Sequence, residues 1–291
     1  YYLYKKTNMT LLQWTLFFFL LQIVHFLGTW KLYKIAGFHS WQALIPVYNA
    51  YILMKIIRRP SWWVLLLFIP TINLIMFIVI WVEILRSFEW NSLKNNSLVI
   101  ITLGLYIYTL NYSKNQKYIP NRSLQQRTNF GETVGSILFA IVAATIVHNY
   151  VIQPYIIPTG SLEKSLLIGD FLFVSKFHYG ARVPMTAISF PMVHDTIPIL
   201  KIRSYLKKPQ FPYLRLPGIK KIKRNEIVVF SWPADTVRQF FVKEKRVDKP
   251  IDKKSNYVKR CVGVPGDTLE IIDGLVFTNG SKNILPETAK V

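Results

Sequence analysis

The sequence predicts a membrane α-helical N-terminal half followed by a mainly-β domain, and three observations lead there. Four stretches lack Asp, Glu, Lys and Arg altogether: residues 7–30, 60–82, 95–113 and 133–162. Each is long enough to cross ~30 Å of hydrocarbon as a helix, which takes ~20 residues, the third only just. Beyond residue 165 the texture changes to short alternating apolar segments punctuated by Pro and Gly, the signature of strands and turns. The composition is 51% hydrophobic with a positive mean hydropathy, and the apolar residues crowd the first half instead of recurring at core spacing. Buried helices of a large soluble protein do not account for uncharged runs of that length.

Residues 7–30 open the membrane half. A cleaved leader is the other reading of such a run, but three more spans follow, and the missing initiator Met leads us to expect that the true start lies upstream. Lys31, Lys34, Lys55, Arg58 and Arg59 come after this span, and Lys114, Lys117, Arg122 and Arg127 come before the last. Positive loops stay cytoplasmic. Four spans then leave the loop at 86–94 and everything after 151 on the extracytoplasmic side. Residues 30–90 carry their own aromatic pattern, with Trp30, Tyr33, Trp41, Tyr48, Trp62 and Trp63 suited to an interfacial belt and residues 43–59 to an amphipathic helix lying in the interface. Anchoring is the simplest role for them.

The domain reading is a multi-span membrane domain at 1–113, a basic cytoplasmic linker at 114–132, an anchor helix at 133–152 and a mainly-β domain at 153–291. Strands are expected at 170–175, 226–230, 256–262 and 268–272. The Pro-rich, basic stretch 181–221 reads as an insertion between strands.

A formal charge of +21 would suit nucleic acid in a soluble protein. Here the basic residues flank spans and scatter through the last third, which fits anionic lipid head groups, and no basic helix interleaved with stacking aromatics exists. Cys261 is the single cysteine, so no internal disulfide or CxxC metal pair is possible, and it reads as an inert apolar filler. His25, His39, His148, His178 and His194 lack metal-ligand spacing. The sequence calls for no cofactor, no metal and no nucleic-acid partner.

The chemistry-bearing segments are Ile157-Pro158-Thr159-Gly160-Ser161-Leu162 and, further on, Tyr257-Val258-Lys259-Arg260-Cys261-Val262-Gly263-Val264-Pro265-Gly266-Asp267. A serine hydroxyl attacks well only if a neighbouring base takes its proton. Lysine can be that base when its neutral form is populated, which burial against apolar side chains favours. Tyr257, Val258 and Val262 are expected to supply that enclosure around Lys259. Together the two segments resemble the serine and lysine boxes of bacterial type I signal peptidase, a membrane-bound protease that removes signal peptides from exported proteins. Pro154-Tyr155-Ile156-Ile157-Pro158 resembles that family's lead into the nucleophile, Leu166-Leu167-Ile168-Gly169-Asp170 its next box, and Lys223 to Phe230 a strand entry. The likeness runs from about residue 131 onward and is loose over the insertion.

The resemblance implies a hydrolase, a serine endopeptidase, with Ser161 as nucleophile and Lys259 as general base. It assigns the oxyanion donors to the Ser161 N–H and the Thr159 hydroxyl, where the family more often has serine. Ile157, Leu162, Leu166, Tyr257 and Val258 would line the pocket for the residue before the cut, and Tyr155, Leu172 and Val258 the pocket two residues back. Arg260 would pair with a carboxylate of the family's last box or else stand as an exposed rim charge, and Gly266 and Asp267 would form the turn that holds the lysine strand. The implied partners are signal-peptide-bearing preproteins and the lipid bilayer. The implied location is the bacterial inner membrane, multi-pass, with the catalytic domain on the periplasmic side.

Two departures stand out. Leu162 replaces the usual methionine, and Glu163-Lys164-Ser165 stands where the family has a residue followed by Pro-Thr. The family's last box, Gly-Asp-Asn-x-x-x-Ser-x-Asp-Ser-Arg, does not occur before Val291. We therefore expect the catalytic domain to be incomplete and this fragment alone to be inactive. A non-catalytic membrane scaffold or accessory subunit with a degenerate peptidase domain is the alternative. A soluble serine–lysine self-cleaving repressor would carry a DNA-binding helix pair in place of the spans.

Overall fold

Helix α1, Leu11–Ile35, begins where Thr10 caps it: the Thr10 hydroxyl accepts from the Gln13 N–H at 3.2 Å, and the Gln13 side chain accepts from the Thr10 N–H at 2.9 Å. This reciprocal box satisfies two of the amides that a helix start leaves unpaired. The computed structural model describes residues 10–125, 128–198, 200–235, 247 and 249–289. Residues 7–9 of the first expected span, Arg127 of the basic loop and Ile199 of the insertion lie outside them. The chain forms two compact units, one reaching to residue 142 and including 187–191 and 208–211, the other holding the rest.

In the first unit, α2 (Tyr48–Ile56), α3 (Trp63–Leu66), α4 (Ile72–Ser87), α5 (Leu93–Ile101) and α6 (Ile107–Tyr112) follow α1. The expectation of a helix through each uncharged run gives way at two of them. The run 60–82 breaks between α3 and α4 at Pro70 and Thr71, whose φ is 72°. The run 95–113 breaks between α5 and α6, where Gly104 has φ +86° and a Cβ would lie 2.5 Å from the Trp81 ring. Only glycine satisfies both the left-handed backbone and the close ring approach. Among the described residues the helices of spanning length and apolarity are Leu11–Ile35 and Asn129–Val151.

Polar side chains knit this unit. Fully buried Asn111 of α6 accepts from the Lys31 and Leu32 N–H groups at 3.1 and 3.2 Å and donates to Leu27 O at 3.2 Å. Tyr33 donates to Asn49 O at 2.7 Å, and Asn49 donates to Gln22 at 3.2 Å. Inside lipid such amide contacts hold helices where apolar burial alone gives no preference. Residues 43–59, expected as one interfacial helix, hold α2 preceded by a short 3-10 turn; α2 buries Ile52, Leu53, Met54 and Ile56 and leaves Tyr48, Tyr51 and Lys55 exposed.

Helix α7, Asn129–Ile146, runs on through a π turn at Val147–Val151 into strand β1, Ile152–Ile156. The second unit consists of small antiparallel sheets: β1 with β2 (Phe171–Ser175), β3 (Ile227–Ser231) with β4 (Asn256–Arg260), and a meander of β5 (Leu269–Ile272), β6 (Leu275–Thr278) and β7 (Ser281–Lys282). Four of these strands fall where alternation places them, and β1 continues the uncharged run without a composition break. The insertion holds two isolated bridges, Arg182 with Arg215 and Thr196 with Arg203, and no strand among its described residues.

Candidate active site

Ser161 sits in the loop between β1 and β2, whose base is closed by the Ile157 N–H on Asp170 O at 3.0 Å and the Gly169 N–H on Ile157 O at 2.9 Å. Inside it the Glu163 N–H donates to Gly160 O at 3.0 Å, and the Ser165 and Leu166 N–H groups donate to Leu162 O at 2.9 and 2.8 Å. Buried Ile157 and Leu162 anchor the loop from below and leave Thr159 and Ser161 exposed at its tip. Asp170 also accepts from the Leu167 N–H at 2.8 Å.

Lys259 belongs to β4. Its Nζ donates to Ser161 Oγ at 2.6 Å across 98 residues of sequence. The register sets Lys259 opposite Val228 and Tyr257 opposite Phe230, so these four share one face of the sheet, while Asn256, Val258 and Arg260 share the other. On that second face Asn256 donates to the Tyr155 hydroxyl at 2.8 Å, and Tyr155 lies opposite Leu172 in the β1–β2 pair. Tyr155, Leu172 and the Val258 face are thereby neighbours. Leu166 is half-buried in the serine loop.

The apolar enclosure expected around Lys259 is absent: Lys259 and Ser161 are both exposed. The reason is in the register. Val258 alternates away from Lys259, Tyr257 packs in a tilted pair against Trp232 with centroids 4.9 Å apart, and β4 pairs with β3 alone among the described residues. The carboxylate expected for Arg260 belongs to the box that does not occur before Val291. The described partners of Arg260 are neutral oxygens, Asn225 O at 2.8 Å and Ser165 Oγ at 2.6 Å, and Ser165 in turn donates to Thr288 O. Sequence reasoning missed this role of Ser165; its hydroxyl at the Thr position of the family pattern was the available signal.

The Val264–Asp267 turn follows β4. The Asp267 carboxylate accepts from the Val264 N–H at 2.8 Å, from Arg224 Nε at 2.8 Å and from Asn279 Nδ2 at 3.1 Å, and Gly266 supplies φ +96°. The Arg224 guanidinium, then the Val264 N–H, hold the Asp267 carboxyl well below the usual carboxylate range. Cys261 donates weakly to Gly263 O at 3.2 Å. Lys176, at the end of β2, lies over the Tyr155 ring at 5.7 Å, and burial, aided by the Arg182 charge, pushes its ammonium down to about 8.

A serine hydroxyl in contact with a lysine amine is one recognised arrangement for nucleophilic hydrolysis, here on a β-rich unit that follows an apolar helix of spanning length. The chain belongs to the signal peptidase family, peptidase S26, whose profile matches residues 130–289. Residues 41–121 match a family of unknown function (DUF5684). Signal peptidase I of Rickettsia massiliae is 28% identical over 148 residues, 51% of this chain and 42% of the relative. That of Rickettsia canadensis is 26% identical over 163 residues, 55% of this chain and 48% of the relative. The chain thus spans under half the length of these curated relatives. No solved structure matches it.

Proposed function

We propose that the protein is a membrane-bound endopeptidase that removes N-terminal signal peptides from exported preproteins, with Ser161 as nucleophile and Lys259 as general base. The observation that carries this reading is the 2.6 Å contact between Lys259 Nζ and Ser161 Oγ within the stretch that matches the family. A neutral Lys259 takes the hydroxyl proton as Ser161 Oγ bonds to the scissile carbonyl carbon. The resulting oxyanion is held by the Ser161 N–H and the Thr159 hydroxyl. Collapse breaks the C–N bond as Lys259 returns the proton to the leaving amine, and water, deprotonated by the same lysine, then hydrolyses the Ser161 ester.

The scheme uses the neutral amine of Lys259, which cover by apolar groups at the moment of attack favours. In the proposed cycle a bound preprotein segment lying across the Ser161 loop provides that cover, its small side chains entering pockets lined by Ile157, Leu162, Leu166 and Tyr257 and by Tyr155, Leu172 and Val258. Arg260, Gly266 and Asp267 position the lysine strand. The excess of Lys and Arg around 31–59 and 114–122 supports a cytoplasmic side for those loops and, in the proposed topology, a periplasmic side of the inner membrane for the β-rich unit.

The test is preprotein processing by the full-length protein in detergent, with Ser161→Ala and Lys259→Ala alongside. Loss of cleavage in both, with membrane insertion intact, is expected. Cleavage retained by either variant removes that residue from the mechanism.

A further inference from the structure

One buried charge cluster lies apart from the serine–lysine pair. Glu83, near the end of α4, meets three arginines: Arg59 at 2.9 Å, Arg86 at 2.7 Å, and Arg122 in closer contact. The side chains of Glu83 and Arg122 are each 4% exposed, Arg86 7% and Arg59 17%. Three guanidinium groups on one carboxylate leave, among the described residues, two positive charges uncompensated. Burying charge is tolerated only when it is paired and fully hydrogen-bonded.

The hydrogen bonds are incomplete as well. Arg86 donates to Gln125 O at 2.9 Å, and Arg122 donates from Nε to Ser87 Oγ at 3.0 Å and from Nη2 to Ile57 O. Arg59 Nε and Arg122 Nη1 are buried donors with no partner among the described residues. Both belong to arginines that already hold Glu83 through another nitrogen. Excess positive charge and unspent guanidinium donors together describe the complement of an oxyanion.

The position of the cluster narrows the class. The Arg59 guanidinium stacks 5.2 Å over the Trp63 ring, next to Trp62, which is 57% exposed. Such a tryptophan pair marks the depth of the lipid head groups. Arginine forks suit phosphate oxygens, and phosphate is the anion abundant at that depth.

We propose that Arg59, Arg86 and Arg122, set around Glu83, form a binding site for a phosphate-bearing anion in the N-terminal membrane unit. The site does not depend on the peptidase reading. Arg59 is its least buried member and forms the entrance; Glu83 gathers the three arginines around its carboxylate.

The experiment titrates the full-length protein, in phosphate-free nonionic micelles, with inorganic phosphate and separately with a short-chain phosphatidylglycerol. Saturable binding of phosphate alone identifies a free-anion site, and saturable binding of the lipid alone identifies a headgroup site; either supports the proposal. Arg59→Gln is expected to weaken binding by about tenfold or more, as loss of a charge-assisted contact does. Arg59→Lys is expected to recover part of the loss, and Lys94→Gln, an exposed basic residue elsewhere, to change nothing. Glu83→Gln, where it folds, is expected to tighten binding. No saturable uptake of either ligand by the wild type overturns the proposal. So does an Arg59→Gln protein that melts earlier but binds unchanged, since the cluster is then a structural tie only.

Discussion

Ser165→Ala removes one hydroxyl and with it two contacts. Arg260 Nη2 loses its acceptor at 2.6 Å, and Thr288 O loses its donor. A net hydrogen bond contributes ~1 kcal/mol, and stranding a charged donor costs ~1–3 kcal/mol when it is fully buried. Arg260 and Ser165 are half-buried, so water recovers part of this, and ~1–2 kcal/mol of unfolding free energy is the expected loss. The same contact ties the Ser161 loop to β4, one residue along from Lys259. If ~1.4 kcal/mol of that loss appears as displacement of Ser161 from the amine, kcat falls about tenfold. KM should move little, because the side chains proposed to line the substrate pockets stay in place. The assay is preprotein cleavage by the full-length protein in detergent, with chemical denaturation of the same sample. Ser165→Thr keeps the hydroxyl and should restore both values. An alanine variant with wild-type kcat and unchanged unfolding would refute the argument that this hydroxyl sets the loop.

Thr159→Ala should lower kcat by about a hundredfold, the effect of losing one oxyanion donor worth ~3 kcal/mol, while Thr159→Ser stays near wild type; equal rates for the two exclude the hydroxyl from the oxyanion site. Gly104→Ala should destabilise the N-terminal helical unit by ~2 kcal/mol or more, because the added methyl meets the Trp81 ring at 2.5 Å on a φ of +86°. Gly266→Ala, with no atom within 4 Å of its Cβ and only a φ of +96° to accommodate, should cost less, and thermal melts of the two compare them directly. Lys176 has its pKa lowered from 10.5 to about 8 by burial, so between those values the unfolded chain binds more protons than the folded one and stability rises with pH. Lys176→Met should flatten that rise, as measured by denaturation at about pH 8 and about pH 10; an unchanged slope means the ammonium is not desolvated in the fold.

Much of the β-rich unit was legible because alternation and punctuation leave a direct trace. The segments expected at 170–175, 226–230 and 268–272 contain β2, β3 and β5, and 256–262 contains β4. Strand β1 was hidden because Ile152–Ile156 carries no charge and extends the apolar helix run. The N-terminal helical unit misled for the opposite reason. An uncharged stretch reports where a helix can lie in lipid, while Thr71 and Gly104, with φ of 72° and +86°, decide that it does not continue. Arg59 and Arg122 read as loop charges for the head groups, yet both fold onto Glu83, 24 and 39 positions away in sequence. Nothing local announces such a pairing. The Ser161 and Lys259 contact was legible through motif resemblance; the exposure of the pair was not, because it depends on which face of β4 each neighbour takes.

That dependence explains why two adjacent cations have different surroundings. In the β3–β4 register, Lys259 shares a face with Val228 and reaches Ser161, while Arg260 turns to the opposite face and clamps Asn225 and Ser165. A slip of one residue would exchange them. Arginine stays charged at any working pH, so in that position it could only donate to the serine and never take its proton. The register is pinned at both ends of the pair: the Asn225 N–H donates to Cys261 O at 2.6 Å and the Cys261 N–H to Glu226 O at 2.9 Å, and the Trp232 N–H donates to Ser255 O at 2.8 Å. The Arg260 bond to Asn225 O adds to the same end. On the proposed mechanism the arginine therefore acts through strand alignment: by fixing its own side chain on one face, it keeps the titratable amine on the other.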